Sequence, residues 1–471
     1  MLADIGIVGA GTMGAALALN LAEKGYRVAI HDSDWDKMQA ARDEARGMKG
    51  AIEVAETPEA LVKAIRPPRP FVILVPAGPA VDAIIEEWRP LLSPGDLLID
   101  AGNADFHDTR RRAAALEAAG LAFLGVGLSG GAEGARHGPA IMAGGSPKLW
   151  ARVEAPLKAV AARHGEEPCC AWFGPDGAGH FVKTVHNGIE YAEMQALAEA
   201  YQVMRDGLKM APAEISEAFA GWNAGDGAAY LTEISAIVAA AEDKETGAPL
   251  IDLVQDRAGQ KGTGGWTAIE ALRLAAPAPS IEAAVAGRNL SARKSTRLKL
   301  EAEFGPAPGP MGGALGSREE ALAALGAAVV AARIAAFAQG FGILSAASVE
   351  FGWLLDLGAV ARVWRAGCII RNALLDEMGA ALDAAPETNL IGSAPFAARM
   401  KANGPALRKV VAAAAAHGVP VPALGAALFW FDQLRTGRGP ANLIQLQRDY
   451  FGRHGFERSD RDGKNLHGPW A

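Results

Sequence analysis

The chain has 471 residues, of which half are apolar and 21% are charged, and 46 Lys and Arg stand against 53 Asp and Glu for a formal charge of −7. At roughly 150 residues per domain, this length predicts two to four domains of a soluble globular protein and excludes disordered, collagenous and coiled-coil classes. The acidic balance argues against a nucleic-acid partner. Three cysteines cannot form a disulfide framework, which predicts a reducing, cytoplasmic setting.

Two apolar stretches raise the question of export or membrane insertion. Residues 5–22 contain four glycines and follow Asp4 instead of a basic cluster, which does not fit a signal peptide. Residues 334–349 are shorter than the roughly 20 residues that cross a bilayer. We therefore expect both stretches to be buried core, with no membrane partner. Zinc-like Cys/His spacing is absent, so we expect no metal.

The first part of the chain alternates short β-branched runs with amphipathic stretches. Strands are predicted at residues 4–8, 26–31, 71–75, 97–100 and 122–126, with helices such as 13–24 and 79–88 between them. This alternation predicts a parallel sheet covered on both faces, which is the doubly wound Rossmann-type α/β fold.

After a turn-rich break at residues 174–179 the pattern becomes helical. Helices are predicted at residues 181–210, 213–219, 319–344 and 398–416, and the Pro/Gly-rich residues 304–313 are predicted to be a loop. The final stretch loses periodicity and carries seven Arg or Lys against four Asp or Glu, which indicates a partner for an irregular tail. The predicted division is a Rossmann-like NAD(P)-binding domain at 1–176, a large all-α domain at 177–433 and a tail at 434–471.

A glycine-rich motif follows the first predicted strand and opens the first helix. It reads Gly9-Ala10-Gly11-Thr12-Met13-Gly14, and Asp32 follows at the end of the next strand. Glycines there allow a sharp turn and a close approach of a pyrophosphate to the helix start, while the acid accepts hydrogen bonds from ribose hydroxyls. The pattern therefore predicts dinucleotide binding. The alternative is a glycine-rich turn in an ordinary βαβ unit.

A polar stripe lies on the first helix of the helical part. Lys183, His186, Asn187 and Glu190 share one helix face through the spacing i, i+3, i+4 and i+7. The stripe follows a glycine-rich hinge, where clefts form between domains, and it combines a base with an acid. It is either a catalytic surface or a solvated polar face.

Five motifs in this order resemble the 6-phosphogluconate dehydrogenase family of the β-hydroxyacid dehydrogenase superfamily, and the resemblance runs from Ile5 to about Gly468. They are Leu128-Ser129-Gly130-Gly131 with Glu133-Gly134-Ala135-Arg136, residues 183–191, Ala258-Gly259-Gln260-Lys261-Gly262-Thr263-Gly264, residues 364–371, and Gln447-Arg448-Asp449-Tyr450-Phe451-Gly452.

The resemblance implies an activity and roles for individual residues. The expected reaction is the oxidative decarboxylation of 6-phospho-D-gluconate to D-ribulose 5-phosphate and CO2, a step of the pentose phosphate pathway. Lys183 matches the general base for the C3 hydroxyl and Glu190 the general acid that protonates C1 of the enediol. The alternatives are a non-decarboxylating dehydrogenase of the 3-hydroxyisobutyrate type and a non-catalytic sensor of nucleotides or sugar phosphates.

The resemblance also implies the binding residues. The substrate or the nicotinamide end would contact Asn103, Ser129, Gly130, Gly131, His186 and Asn187. The 6-phosphate would be bound by Tyr191, Lys261, Thr263, Arg288, Arg448 and His454. The family supplies the last two from the partner subunit, so the resemblance implies a homodimer whose tails complete the active sites.

The cofactor site departs from the family. Most members use NADP and place Asn-Arg-Thr at the end of the second strand, where this chain has Asp32-Ser33-Asp34. Pro76, between Val75 and Ala77 in the next cofactor loop, stands where many relatives have lysine. Two carboxylates and no cation would repel a 2′-phosphate, so we predict NAD in preference to NADP. The alternative is that Lys37 or Arg42 reaches the phosphate.

Overall fold

The computed structural model describes residues 1–307 and 309–470. Position 308 of the predicted loop and position 471 of the predicted tail therefore lie outside the described residues. The strands are β1 (Ile5–Val8), β2 (Arg27–His31), β3 (Ala51–Val54), β4 (Pro70–Ile73), β5 (Leu97–Asp100), β6 (Ala122–Leu128), β7 (Ile141–Gly144), β8 (Arg163–His164), β9 (Glu167–Pro168) and β10 (Cys170–Trp172).

The helices begin with α1 (Thr12–Glu23), α2 (Trp35–Glu44), α3 (Pro58–Ala64), α4 (Pro79–Trp88), α5 (Phe106–Ala118), α6 (Gly131–His137), α7 (Pro147–Val160) and α8 (Ala178–Gln202). They continue with α9 (Pro212–Trp222), α10 (Tyr230–Ala239), α11 (Leu250–Leu253), α12 (Thr263–Arg273), α13 (Pro279–Ser291), α14 (Lys294–Phe304), α15 (Arg318–Phe351), α16 (Leu357–Val363), α17 (Leu375–Ala384), α18 (Ala394–Ala416), α19 (Pro422–Leu434) and α20 (Ala441–Gly452).

One eight-stranded sheet forms the first part of the molecule, in the order β10-β7-β6-β5-β4-β1-β2-β3. Its inner strands are apolar and buried because helices cover both faces, which confirms the Rossmann-type prediction. β1 lies between β2 and β4, so the strand order reverses there and a crevice opens at the carboxyl ends of the strands. The five predicted strands pair in parallel, and β7, which the sequence did not predict, pairs antiparallel with β6. There the chain turns back through the short helix α6 instead of crossing the sheet.

The second part of the molecule is helical and is built around α8 and α15. Gly340 of α15 lets the two helices approach, because a Cβ at this position would lie 2.4 Å from Ile189 Cδ1 of α8. Among the described helices, α15 is the one long and apolar enough to cross a membrane by length and composition, and 78% of its most apolar segment is buried within the fold. It is therefore the core helix that the sequence predicts.

The tail differs from the irregular segment that the sequence predicts, because it contains α20. The buried carboxylate of Asp449 organises it by accepting hydrogen bonds from the backbone of Gly455 and Gly468 and from the side chains of His467 and Trp470. The apolar side chains of α20 that remain exposed are Leu443, Ile444, Leu446, Tyr450 and Phe451. Leu443, Leu446, Tyr450 and Phe451 have the spacing of one helix face, a signal of α20 that the sequence analysis missed.

Candidate active site

The glycine motif forms a cradle at the carboxyl end of β1. A Cβ on Gly9, which has φ +103°, would lie 2.6 Å from the Leu74 carbonyl oxygen, and one on Gly14 would lie 1.9 Å from the Gly9 oxygen. A Cβ on Gly11 would meet nothing within 4 Å, so this position is open toward a ligand. No side chain caps the start of α1, which leaves its N–H groups free for an anion. These residues fit the pyrophosphate of a dinucleotide.

Asp32 connects the end of β2 to this cradle. Its Oδ2 accepts a hydrogen bond from the Ala10 N–H at 2.5 Å, and its Oδ1 accepts one from the Asp34 N–H at 2.8 Å. The side chain of Asp34 caps α2 and pairs with Lys37 at 2.9 Å. This pairing lowers the pKa of the Asp34 carboxyl, chiefly through the hydrogen bond from Lys37. The turn therefore presents two carboxylates, and its nearest cation is already paired.

Two further loops reach the same edge of the sheet. Val75, Pro76 and Ala77 follow β4, and Asn103 follows β5, with the side chains of Pro76, Ala77 and Asn103 exposed. Because β4 pairs with both β1 and β5, these loops lie beside the cradle. The structure thus brings the predicted cofactor residues together.

Glycines of β6 place α8 directly on the sheet. A Cβ on Gly127 would lie 2.3 Å from Lys183 Cβ, and one on Gly125 would lie 2.7 Å from His180 Nδ1. Gly179 of α8 meets β7 in the same way, since a Cβ there would lie 2.5 Å from the Gly144 nitrogen. This backbone-close packing carries the polar stripe of α8 to the carboxyl end of β6, where Ser129 begins the next loop.

The polar stripe forms a hydrogen-bonded cluster with that loop. Lys183 Nζ donates to Asn187 Oδ1 at 2.6 Å and to Ser129 Oγ at 3.2 Å, and it lies 3.3 Å from His186 Nδ1. Ser129 Oγ lies 3.1 Å from His186 Nε2, and Glu190 Oε2 lies 3.9 Å from His186 Nδ1. Lys183 is 6% exposed and His186 0% exposed, which excludes a solvated polar face.

Burial shifts the proton affinities of this cluster toward neutral forms. It lowers the pKa of the Lys183 ammonium, against the opposing charge of Glu190. Burial also raises the pKa of the Glu190 carboxyl, against the charges of Lys183 and Arg288. The pKa of His186 falls well below its usual value because of burial and the Lys183 charge. Burial thus shifts Lys183 toward the neutral amine and Glu190 toward the protonated carboxyl, the directions that a base and an acid for proton transfer need.

The loop after β6 also packs against the helical domain, at Gly367. Gly130, with φ +102°, approaches the Gly367 carbonyl, because a Cβ on Gly130 would lie 2.6 Å from that oxygen. The same oxygen accepts a hydrogen bond from the Ala140 N–H at 2.8 Å. A Cβ on Gly131 would meet nothing within 4 Å, so its backbone faces open space.

Two cationic side chains, Arg288 and Lys261, lie in the segments around Tyr191 of α8 and the start of α12. The Arg288 guanidinium stacks on the Tyr191 ring at 3.5 Å from its centroid and donates to the Gly259 carbonyl at 3.1 Å. Thr263 is the first residue of α12, whose start packs on Tyr191, and Lys261 is exposed just before it. A helix start, an arginine and a lysine together favour a phosphate.

The two predicted tail residues are not part of this group. Arg448 is exposed and donates to Gln445 of its own helix at 3.0 Å, and His454 is exposed beside Phe451. Among residues 437–470, each hydrogen bond described joins two residues of the tail.

Sequence reasoning missed two residues that position the site. One is Gly127, whose signal was the pair of glycines at alternate positions of a buried strand. The other is Arg112, fully buried on α5, which donates to the Gly78 carbonyl at 2.9 Å and pairs with Asp82 at 2.8 Å. No local pattern distinguished it from the half-buried Arg110 and the exposed Arg111 next to it.

Two family models match the chain. The NAD binding domain of 6-phosphogluconate dehydrogenase matches residues 4–174, and the 6-phosphogluconate dehydrogenase C-terminal domain matches residues 179–470. The chain is 43% identical to 6-phosphogluconate dehydrogenase, decarboxylating, of Treponema pallidum over 100% of this chain and 97% of the relative. It is 42% identical to the NADP(+)-dependent, decarboxylating enzyme of Bacillus subtilis over 98% of this chain and 97% of the relative.

A solved structure matches over the same extent. Plasmodium falciparum 6-phosphogluconate dehydrogenase, studied in its apo form and in complexes with NADP+ and with 6-phosphogluconate, superimposes with a TM-score of 0.94 at 35% identity. The match covers 99% of this chain and 100% of that one. From the family models, the full-length identity and the shared fold, we conclude that the chain belongs to the 6-phosphogluconate dehydrogenase family.

Proposed function

We propose that this protein oxidises and decarboxylates 6-phospho-D-gluconate to D-ribulose 5-phosphate and CO2, the pentose phosphate pathway step, and that it prefers NAD to NADP. The observation that carries the proposal is the buried cluster of Lys183, Ser129, His186 and Asn187, in which Glu190 Oε2 lies 3.9 Å from His186 Nδ1. Its lysine has a pKa lowered by burial, and its carboxyl has one raised by burial.

The chain's own residues move the protons. Neutral Lys183 accepts the proton of the C3 hydroxyl, while the hydride at C3 leaves for the bound nicotinamide, which supplies the electron acceptor. The C3 ketone then accepts the electron pair of the C1–C2 bond as CO2 departs. Protonated Lys183 stabilises the oxygen that becomes negative, and Glu190 donates the proton that completes the new C–H bond. Ser129 and Asn187 hold the amine in place.

The phosphate end supports a phosphorylated substrate and a shared site. Tyr191, Lys261, Thr263 and Arg288 would bind the 6-phosphate from one chain, and Arg448 and His454 from the tail of the partner. The tail at 434–471 would insert into that partner, beyond the domains at 1–176 and 177–433. Its exposed apolar helix face supports this proposal, because a face of this kind needs a second surface to cover it. The molecule would then be a homodimer.

The ribose turn supports the NAD preference. Asp32 Oδ2 faces the cradle through the Ala10 N–H and its Oδ1 accepts from the Asp34 N–H, so a 2′-phosphate there would meet Asp32 and Asp34, beside which Lys37 is already paired. Lys37 pairs with Asp34 and Arg42 with Asp43, which disfavours the alternative that either one binds the phosphate. The three free, buried cysteines support a cytoplasmic location.

A steady-state assay with 6-phosphogluconate and each cofactor tests the proposal. We expect one CO2 per reduced cofactor and a higher kcat/KM with NAD than with NADP. Reduced cofactor without CO2 would favour the 3-hydroxyisobutyrate type of dehydrogenase. Ligand binding without turnover would favour the sensor, and a higher kcat/KM with NADP would refute the cofactor preference alone.

A further inference from the structure

A polar contact joins the two domains through the buried carboxylate of Glu270 and the exposed side chains of His107 and Arg273. His107 Nε2 of α5 lies 3.1 Å from Glu270 Oε1 of α12, and Arg273 Nη1 donates to the same oxygen at 2.5 Å. Only 5% of the Glu270 side chain is exposed, so its carboxylate needs these partners. The His107 ring packs on Phe106, with centroids 4.0 Å apart. We call the contact of His107 with Glu270 the α5–α12 bridge.

On one side of this bridge, α5 is fixed to the cofactor loops. It begins three residues after Asn103, and Phe106 is buried against Phe181 of α8 at 4.9 Å between centroids. Farther along α5, the Arg112 guanidinium donates to the Gly78 carbonyl at 2.9 Å and lies 3.4 Å from Asp100 Oδ2. A shift of α5 therefore moves the loops that follow both β4 and β5.

On the other side, α12 is fixed to the phosphate end. It begins at Thr263, and a Cβ on Gly264 would lie 2.3 Å from the Tyr191 ring. Thr267 Oγ1 donates to the Thr184 carbonyl of α8 at 2.7 Å. Glu270 lies seven residues after Thr263, which is about 10 Å or two turns along the same helix. One rigid helix thus carries a phosphate-binding start and the bridge carboxylate.

We propose that Glu270 and His107 are positioning residues that couple the substrate phosphate to the cofactor loops. The inference rests on the proposed function, because it takes the 6-phosphate to bind at the start of α12. A phosphate there fixes α12, the bridge passes that constraint to α5, and Arg112 passes it to the loops after β4 and β5. Phosphorylated substrate therefore tightens cofactor binding, and by linkage the cofactor tightens substrate binding by the same factor.

The coupling is measured as the ratio of two dissociation constants for NADH, without and with saturating 6-phosphogluconate, from nicotinamide fluorescence. We expect a ratio of about fivefold or more in the wild-type protein. His107→Phe keeps the ring on Phe106 and removes the bridge. Glu270→Gln keeps the side-chain shape and replaces the charged acceptor by a neutral amide, which weakens the bridge but leaves Arg273 Nη1 at 3.1 Å from His107 Nε2. The ratio should fall toward 1 in each variant, while the Kd of NADH alone stays within about twofold.

Controls separate coupling from general damage. Glu154→Gln breaks the half-buried ion pair between Glu154 and Lys158 on α7, whose charged atoms lie 2.6 Å apart, and should leave the ratio unchanged. D-gluconate, which lacks the phosphate, should give a smaller ratio that neither bridge variant alters. In turnover at saturating substrate, the bridge variants should raise KM for NAD more than they lower kcat, which a purely structural role would not produce.

The outcomes distinguish the two proposals. An unchanged ratio in both bridge variants, or an equal loss in Glu154→Gln, overturns the coupling. If Glu270→Gln does not fold, His107→Phe alone decides. A wild-type protein that does not convert 6-phosphogluconate overturns the proposed function and the coupling with it. A wild-type protein that converts it but shows no cofactor tightening overturns the coupling alone.

Discussion

At the scale of single residues, the site depends on burial that favours unusual protonation states. Lys183 and Glu190 lie on the same face of α8, and burial removes much of the solvent around both side chains. Burial works in opposite directions on the two groups, since it lowers the pKa of an amine and raises that of a carboxyl. The same environment therefore favours the protonation states that the proposed base and the proposed acid need, in two residues seven positions apart.

Glu190→Gln tests the electrostatic link between these groups. The Glu190 carboxylate raises the pKa of Lys183, so its removal lowers that pKa further. In the proposed mechanism the neutral amine of Lys183 is the active form, so kcat/KM should rise as pH passes its pKa, and we expect this rise to shift to lower pH in the variant. The kcat should also fall by about 10²- to 10⁴-fold through loss of the acid. A pH profile measures both, and a rise that moves to higher pH contradicts the assignment.

Asp32→Asn combined with Ser33→Arg tests cofactor selection. The change removes the carboxylate that accepts the Ala10 N–H and supplies a cation next to the ribose. We expect the ratio of kcat/KM for NADP over NAD to rise by about two orders of magnitude. The comparison uses both cofactors at one ionic strength. Lys37→Met, which removes the lysine paired with Asp34, is the control and should leave the ratio within about twofold.

At the scale of elements, the site depends on how closely α8 approaches β6. The missing side chain of Gly127 leaves room for Lys183 Cβ, and that of Gly125 leaves room for the His180 ring. Protein interiors are packed closely enough that one added methyl group is felt. The activity of the Lys183 cluster should therefore be more sensitive than the overall stability to side chains added here.

Gly127→Ala tests this dependence. The new Cβ would stand 2.3 Å from Lys183 Cβ, so α8 must shift. We expect a loss of about 1–3 kcal/mol in the free energy of unfolding and about 10²-fold in kcat. Gly221→Ala at the end of α9, where a Cβ meets nothing within 4 Å, is the matched control and should retain full activity. Equal kcat in the two variants would show that the close approach is not needed for catalysis.

The sequence predicted the elements whose signals are local. The predicted helix at 79–88 has the observed bounds of α4, and the strand at 97–100 those of β5, because the first has clear periodicity and the second a continuous apolar run. The spacing of Lys183 to Glu190 likewise predicted their shared face. The reversal at β7, the bridge between His107 and Glu270, and the buried role of Arg112 depend on contacts between distant segments, which no local pattern encodes.

At the scale of the whole molecule, the tail is folded around Asp449 instead of on the body of its own chain. Although burial opposes ionisation, hydrogen bonds from Gly468, His467, Gly455 and Trp470 hold the pKa of the Asp449 carboxyl below its usual value. The tail is thus a preformed unit with an exposed apolar face, and Arg448 lies on its helix. A unit of this kind is suited to insertion into a second copy of the chain.

Heterodimers of Lys183→Ala and Arg448→Ala chains test whether the sites are shared. Each homodimer lacks an essential group at both sites, so activity at subsaturating 6-phosphogluconate should be low in both. In the heterodimer, Lys183 and Arg288 of one chain meet Arg448 of the other, which restores one complete site. Co-expression with two affinity tags isolates this species, and we expect about half the wild-type activity per dimer. If each site were built from one chain alone, every site in the heterodimer would carry one substitution, and purified heterodimers would show no recovery.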